Sequence, residues 1–237
     1  MAEHITVSHE EWLAARRKLL EEEKALTRQR DALARRRREM PWEQVEKDHQ
    51  FEGPQGRRSL ADLFDGRSQL IVYHFMLGPD WEAGCKSCSF WADNFNGIDI
   101  HLAHRDVTLA AISRAPYPKI AAFKQRMGWS FAWYSSFGDD FNYDFKVSFE
   151  PADLKSGDVE YNFETRKLRM DEMPGVSVFA RNEAGEIFHT YSCYARGLDT
   201  LNGAYQLLDL TPKGRDEDGL PFSMSWVRHH DRYEAKG

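Results

Sequence analysis

Cysteine is scarce in this chain, with three among 237 residues. Three thiols cannot all pair within one chain and are too few for a secreted disulfide scaffold. No stretch of about 18 apolar residues is present to span a bilayer. The opening MAEHITVSHEEW lacks the basic segment and apolar run of a secretory signal. Basic excess is missing too: 32 Lys and Arg against 38 Asp and Glu leave a net charge of −6, which argues against general binding to nucleic acid or anionic membranes. No internal repeat is found. A cytoplasmic location is therefore expected, and there a close cysteine pair is more often catalytic or metal-binding than structural. What is present, 41% hydrophobic and 13% aromatic residues, suits a globular domain with an appendage.

The appendage comes first. Ser8 with Glu11 fits a capping box, and no Pro or Gly interrupts the following stretch to about Glu39. Trp12, Leu19, Leu26, Leu33 and Met40 recur every seventh residue, a narrow apolar stripe on a long charged helix that predicts docking on its own domain or on a second subunit. Arg35–Arg38 lie near Glu21, Glu22 and Glu23 and read as a solvated face rather than a nucleic-acid patch. Pro41 ends the helix.

From Phe51 the pattern changes. QLIVYHFML (69–77) and VTLAAIS (107–113) are apolar runs expected of buried parallel strands. The stretch CKSCSFWADNFNGIDIHLAH reads mostly as helix, PKIAAFKQRMG (118–128) as a helix closed by glycine, and SFAWYSS (130–136) as a shorter strand. Residues 137–172 have no clean period and are expected to be an insertion. VSVFARNEAGEIFHTYS forms the clearest hairpin, and GLDTLNGAYQLLDL a closing helix. The expected class is α/β, a mixed sheet flanked by helices, with residues 1–50 as a helical extension, 51–212 as the domain and 213–237 as a tail packing on it.

GCKSCSFW (84–91) carries the chemistry. A cysteine at 85, at the start of a helix, faces unpaired backbone N–H groups that favour thiolate over thiol. Cys88 lies one turn on, within disulfide reach, flanked by Phe90 and Trp91 and so expected to stay protonated. The asymmetry suits Cys85 as nucleophile and Cys88 as resolving thiol. Two core thiols are the plainer alternative.

The run from about Arg58 to Leu210 resembles the thioredoxin-like superfamily in its peroxiredoxin-like layout. The matching pieces are SLADLFDGRSQLIVYHFM, the CxxC after that strand, and MPGVSVFARNEAGEIFH. More narrowly, the whole chain resembles an uncharacterised bacterial thioredoxin-like family in RMGWSFAWYSSFGDDFNYDF, LLDLTPKGRDEDG and HHDRY. The resemblance implies a cis-proline facing the cysteines, which would be Pro174, and leaves the backbone of Met173 to pair with a substrate strand; an ordinary trans-proline opening the strand is the alternative. Trp81 stands near the tryptophan position of thioredoxins, but Gly84 directly precedes Cys85. Where the superfamily has a buried acid, this chain has Tyr73 and His74, which makes His74 a candidate proton relay to Cys88, with a hydrogen-bonded core histidine as the plainer reading. Peroxidase chemistry fits less well: Glu82 occupies the place where peroxiredoxins have Thr or Ser, and spacing does not choose between Arg114 and Arg126 for their arginine.

The function expected is a thiol–disulfide oxidoreductase needing no cofactor or metal, acting on a disulfide-containing protein or a small thiol, with a homodimer through the N-terminal helix. Two alternatives stand beside it. The cysteine pair with His74 or His189 would suit Cu(I) or Zn, although copper-carrying relatives use a wider spacing. A non-catalytic scaffold would use the long helix for binding. Cys193 reads as a buried thiol, and His229 and His230 as a pair that folds toward the site or packs at the surface.

Overall fold

The computed structural model describes residues 4–234. It separates into two compact units, one ending at Pro41 and the other beginning at Trp42. The first is a single helix, α1 (His9–Arg38), with the capping box formed: the Ser8 side chain accepts from the Glu11 N–H and the Glu11 carboxylate accepts from the Ser8 backbone. Arg35 to Arg38 occupy its last turn, where cations complement the helix dipole. Trp12, Leu19, Leu26 and Leu33 are all exposed.

The second unit is built on an eight-stranded sheet ordered β1-β10-β9-β4-β5-β6-β2-β3. β1 (Glu43–Gln44) opens the unit, and β2 (Gln50–Gly53) and β3 (Gly56–Ser59) form a hairpin through Gly56 at positive φ. β4 (Gln69–His74) leads to α2 (Lys86–Ala92) and α3 (Ile98–Ala103), and then β5 (Val107–Ser113) pairs parallel with β4. α4 (Tyr117–Arg126) crosses to β6 (Ala132–Ser135), parallel to β5. Next come α5 (Phe141–Asp144), α6 (Pro151–Ser156) and the small hairpin β7 (Val159–Tyr161) with β8 (Glu164–Arg166). β9 (Gly175–Arg181) pairs antiparallel with β4 and with β10 (Ile187–Tyr194), and α7 (Gly203–Leu208) closes the order. Two parallel strands followed by an antiparallel hairpin, in the order β10-β9-β4-β5, make this a thioredoxin-like fold.

The strands anticipated from apolar runs are present at 69–74, 107–113 and 132–135. The expected long helix after Cys85 is instead two short ones, because Gly97 takes φ 85 and breaks the chain between them. The insertion contains structure of its own, α5, α6 and the β7–β8 hairpin.

Residues alternate across β4 and fill two cores, as strand geometry requires. Tyr73 joins Phe75, Cys88, Trp91, Phe123 and Trp133 on one face. Leu70 and Val72 join Phe51, Phe64, Phe141 and Phe179 on the other. With both faces covered, the central strands are largely apolar. At the margins of the sheet, β1 is two residues long and exposed, and β3 carries Arg57 and Arg58.

Candidate active site

Cys85 is the N-cap of α2. Its backbone N–H donates to the Met76 carbonyl at 3.0 Å, tying the loop to the end of β4, and its sulfur accepts the Cys88 N–H at 3.5 Å. Ser89 returns to the Cys85 carbonyl with both its N–H and its hydroxyl at 2.9 Å. The cap is therefore held from three sides. Gly84 is required by close approach: a Cβ there would lie 2.7 Å from the rings of both Phe75 and Phe123. This explains why the bulky residue expected before the first cysteine is missing.

The two thiols differ as their positions dictate. Cys85 is partly exposed and Cys88 buried. The Cys88 thiol bonded to the Cys85 sulfur holds Cys85 down at about 7; burial opposes this, and the N–H groups of Cys88 and Ser87 add to the lowering. Burial pushes the Cys88 thiol well above its ordinary value, and its bond to Cys85 adds to the rise. The Tyr73 hydroxyl donates to the Cys88 carbonyl at 3.4 Å. A thiol that ionises near neutrality thus sits one turn from a thiol that stays protonated until its partner has reacted.

Beside the pair lies a cavity of about 310 Å³, lined in part by Met76, Trp91, Pro174, Leu198, Tyr205 and Met224. Trp91 anchors its wall by donating from Nε1 to the Leu198 carbonyl at 2.7 Å. Arg215 pairs with Asp199 at 2.8 Å and with Asp209 at 2.6 Å, and its guanidinium stacks on the Tyr205 ring at 4.0 Å. The Glu217 carboxylate accepts from the Tyr205 hydroxyl at 2.6 Å, the Trp226 indole at 2.6 Å and the Met224 N–H at 2.9 Å. The tail continues past the cysteines. His229 donates from Nε2 to the Gly84 carbonyl at 2.8 Å while Arg126 donates to its Nδ1 at 3.1 Å. Arg126 also binds Asp231 through two 2.8 Å contacts, and His230 meets Asp93 at 2.7 Å.

Several sequence expectations are corrected here. No peptide bond among the described residues is cis, so Pro174 lines the cavity through a trans bond. The Met173 N–H is already donated to the Val147 carbonyl at 2.8 Å, within a short antiparallel pairing of residues 147–149 with 171–173. It is not available to a substrate strand. Trp81 packs over Gly78, where a Cβ would meet its ring at 2.9 Å, and is not among the cavity-lining residues.

His74 points away from Cys88 because Tyr73 takes the cysteine-facing side of β4. Its ring stacks on Phe141 and Phe145 in the opposite core, and Nε2 meets Ser177 Oγ at 2.8 Å. The chain continues through Ser192 Oγ at 2.8 Å to His189 Nε2 at 2.7 Å. Burial holds His74 down at about 3. Both histidines offered as metal ligands thus belong to this other network. Among the described residues, no three His, Cys, Asp or Glu side chains gather as a metal-binding group. Cys193 is partly buried against the core that contains Cys88. No described helix is long and apolar enough to cross a membrane.

The sequence offers a tail packed on the domain with a histidine folded toward the site, and His229 on the Gly84 carbonyl fits that reading. Nothing in it marks Arg215, Glu217 or Met224 as cavity residues, because they carry no periodic signal. Tyr73 was legible: alternation along QLIVYH places it opposite His74.

The family described as "Bacterial protein of unknown function (DUF899)" matches residues 1–233. No curated protein matches the chain. Among solved structures, the chain is similar to the peroxidoxin BcpB of Mycobacterium tuberculosis, at 13% identity over 68% of this chain and 93% of that one, with a TM-score of 0.41. It is also similar to peroxiredoxin Q of Xanthomonas campestris, at 13% identity over 70% and 96% with a TM-score of 0.44. The corresponding figures for a cysteine-to-serine mutant of Xylella fastidiosa PrxQ are 12%, 70%, 95% and 0.43.

Proposed function

The chain belongs to the DUF899 family of bacterial proteins of unknown function, and we propose that it is a thiol–disulfide oxidoreductase in which Cys85 attacks and Cys88 resolves. The observation that carries this is the unequal pair: Cys85 at a helix cap, its sulfur accepting the N–H of Cys88, with the Cys88 thiol buried one turn inside. A thiolate near neutral pH is the attacking form, and a protonated neighbour does not compete with it. In this reading α1 joins two copies of the chain through its exposed heptad stripe.

The test traps the intermediate. Reduced Cys88→Ser protein mixed with bis(2-hydroxyethyl) disulfide should hold one hydroxyethylthio group on Cys85, located by mass spectrometry. The wild type should pass on to a Cys85–Cys88 disulfide. Labelling of Cys193 in place of Cys85, or no adduct at all, overturns the assignment.

A further inference from the structure

A protein substrate of a disulfide exchanger lays an extended segment beside the attacking sulfur and pairs with backbone there, as strand-adding ligands do. In this chain both flanks of that path are occupied by the chain itself. On the Pro174 side, Val147 takes the Met173 N–H, and Tyr161 donates from its hydroxyl to the Pro174 carbonyl at 2.8 Å. On the other side, His229 takes the Gly84 carbonyl, next in sequence to Cys85. The tail is held in place by the Arg126–Asp231 and His230–Asp93 pairs and by Trp226 packed against the Phe90 ring at 5.5 Å.

What remains open to the thiols is the cavity of about 310 Å³, at the small end of ligand-site volumes. Its walls are mostly apolar side chains, and the charged groups within it are held by the protein, while Arg196 stands exposed at its rim, 4.0 Å from Asp199. Arg215 is neutralised by Asp199 and Asp209, and Glu217 accepts three hydrogen bonds from the protein. A charged ligand would find a counter-ion only in Arg196 at the solvent-exposed rim, and in the interior it would lose its hydration without a charged partner. An uncharged apolar body would bury its surface at no such cost.

Resting on the oxidoreductase reading, we propose that the substrate is a small disulfide bearing an uncharged apolar substituent, which lies in this cavity, and not a disulfide of a folded protein. The Cys85 thiolate attacks one substrate sulfur. A Cys85–S bond forms, the substrate S–S bond breaks, and the departing thiolate takes up a proton. Cys88 then gives up its proton, attacks the Cys85 sulfur and expels the second thiol. Two electrons pass from the cysteine pair to the substrate, leaving a Cys85–Cys88 disulfide and two small thiols; a dithiol reductant restores the pair by the reverse exchange.

The experiment measures second-order rates of oxidation of the reduced wild-type protein by benzyl 2-hydroxyethyl disulfide, bis(2-hydroxyethyl) disulfide, glutathione disulfide and insulin. Each rate is divided by that of free dithiothreitol with the same probe. The benzyl compound should exceed each of the other three at least tenfold. Insulin or glutathione disulfide matching it, or all four reacting alike, overturns the substrate class while leaving the oxidoreductase reading intact. Reaction with none of the four overturns both. Ser223→Trp, which adds a ring at the exposed rim of the cavity, should cut the benzyl-to-hydroxyethyl rate ratio at least fivefold. An unchanged ratio in a folded variant removes the cavity from recognition.

Discussion

Arg114 and Glu172 meet inside the domain, Nε to Oε1 at 2.5 Å, with the second Glu172 oxygen accepting the Ser148 hydroxyl at 2.9 Å. This contact fastens the segment that pairs with Met173. Burial raises Glu172 to about 7 and outweighs the lowering by Arg114. Because the folded carboxyl holds its proton to higher pH than the unfolded one, its stabilising contribution is complete below about 4.5 and is lost as pH rises through 7. Urea unfolding of wild type and Glu172→Gln at pH 5 and pH 8 should show the wild type losing on the order of 3 kcal/mol relative to the variant across that range. A pH-independent difference contradicts it.

Cys85 owes its low pKa first to the Cys88 thiol. Rapid alkylation by iodoacetamide should therefore follow a midpoint near 7 in wild type and shift upward by about a unit or more in Cys88→Ala, where that donor is gone. The pH–rate profile reads this directly. An unmoved midpoint would assign the effect to the backbone N–H groups alone.

His74 is buried as a neutral ring, down at about 3. Unfolding lets it bind a proton near 6.5, so its contribution is full above that pH and is lost as pH falls toward 3. Replacing it with Phe removes that part of the acid limb. Between pH 7 and 4.5 the wild type should lose on the order of 3 kcal/mol more than His74→Phe in denaturant titrations. The variant should still form the Cys85 adduct, since His74 lies in the core opposite Cys88.

How much of this was readable beforehand depended on range. Leu70, Val72 and the VTLAAIS run declared buried strands through composition alone, and the order of elements then implied the sheet. CxxC placed the thiols, because a cap and a residue one turn later are set by local geometry. Contacts across the chain were not legible: Val147 meeting Met173, or His229 meeting Gly84 145 residues away, leaves no local pattern. Of the two readings the sequence allows for His74, the structure bears out the hydrogen-bonded core residue, because the strand alternation that turns Tyr73 toward the cysteines turns His74 away from them.

Gly84→Ala tests the packing beside the nucleophile. The added methyl meets Phe75 and Phe123 at 2.7 Å, so thermal unfolding should show a loss of about 1–3 kcal/mol, the usual cost of overpacking. A neutral substitution would mean that the rings yield freely.

Leu19→Glu with Leu26→Glu places charge on the exposed stripe of α1. Sedimentation equilibrium should find a wild-type dimer and a monomeric double variant, with the rate of Cys85 alkylation the same in both. A monomeric wild type ends the assembly role of the helix.

The margins of the eight-stranded sheet have a consequence for handling the protein. One ends in β1, two residues long and carrying Glu43; the other ends in β3, with Arg57 and Arg58 side by side. A rogue strand from a neighbouring molecule needs a long, flat, uncharged border to continue. Neither β1 nor β3 provides one, so growth of the sheet by addition to either of these strands is disfavoured.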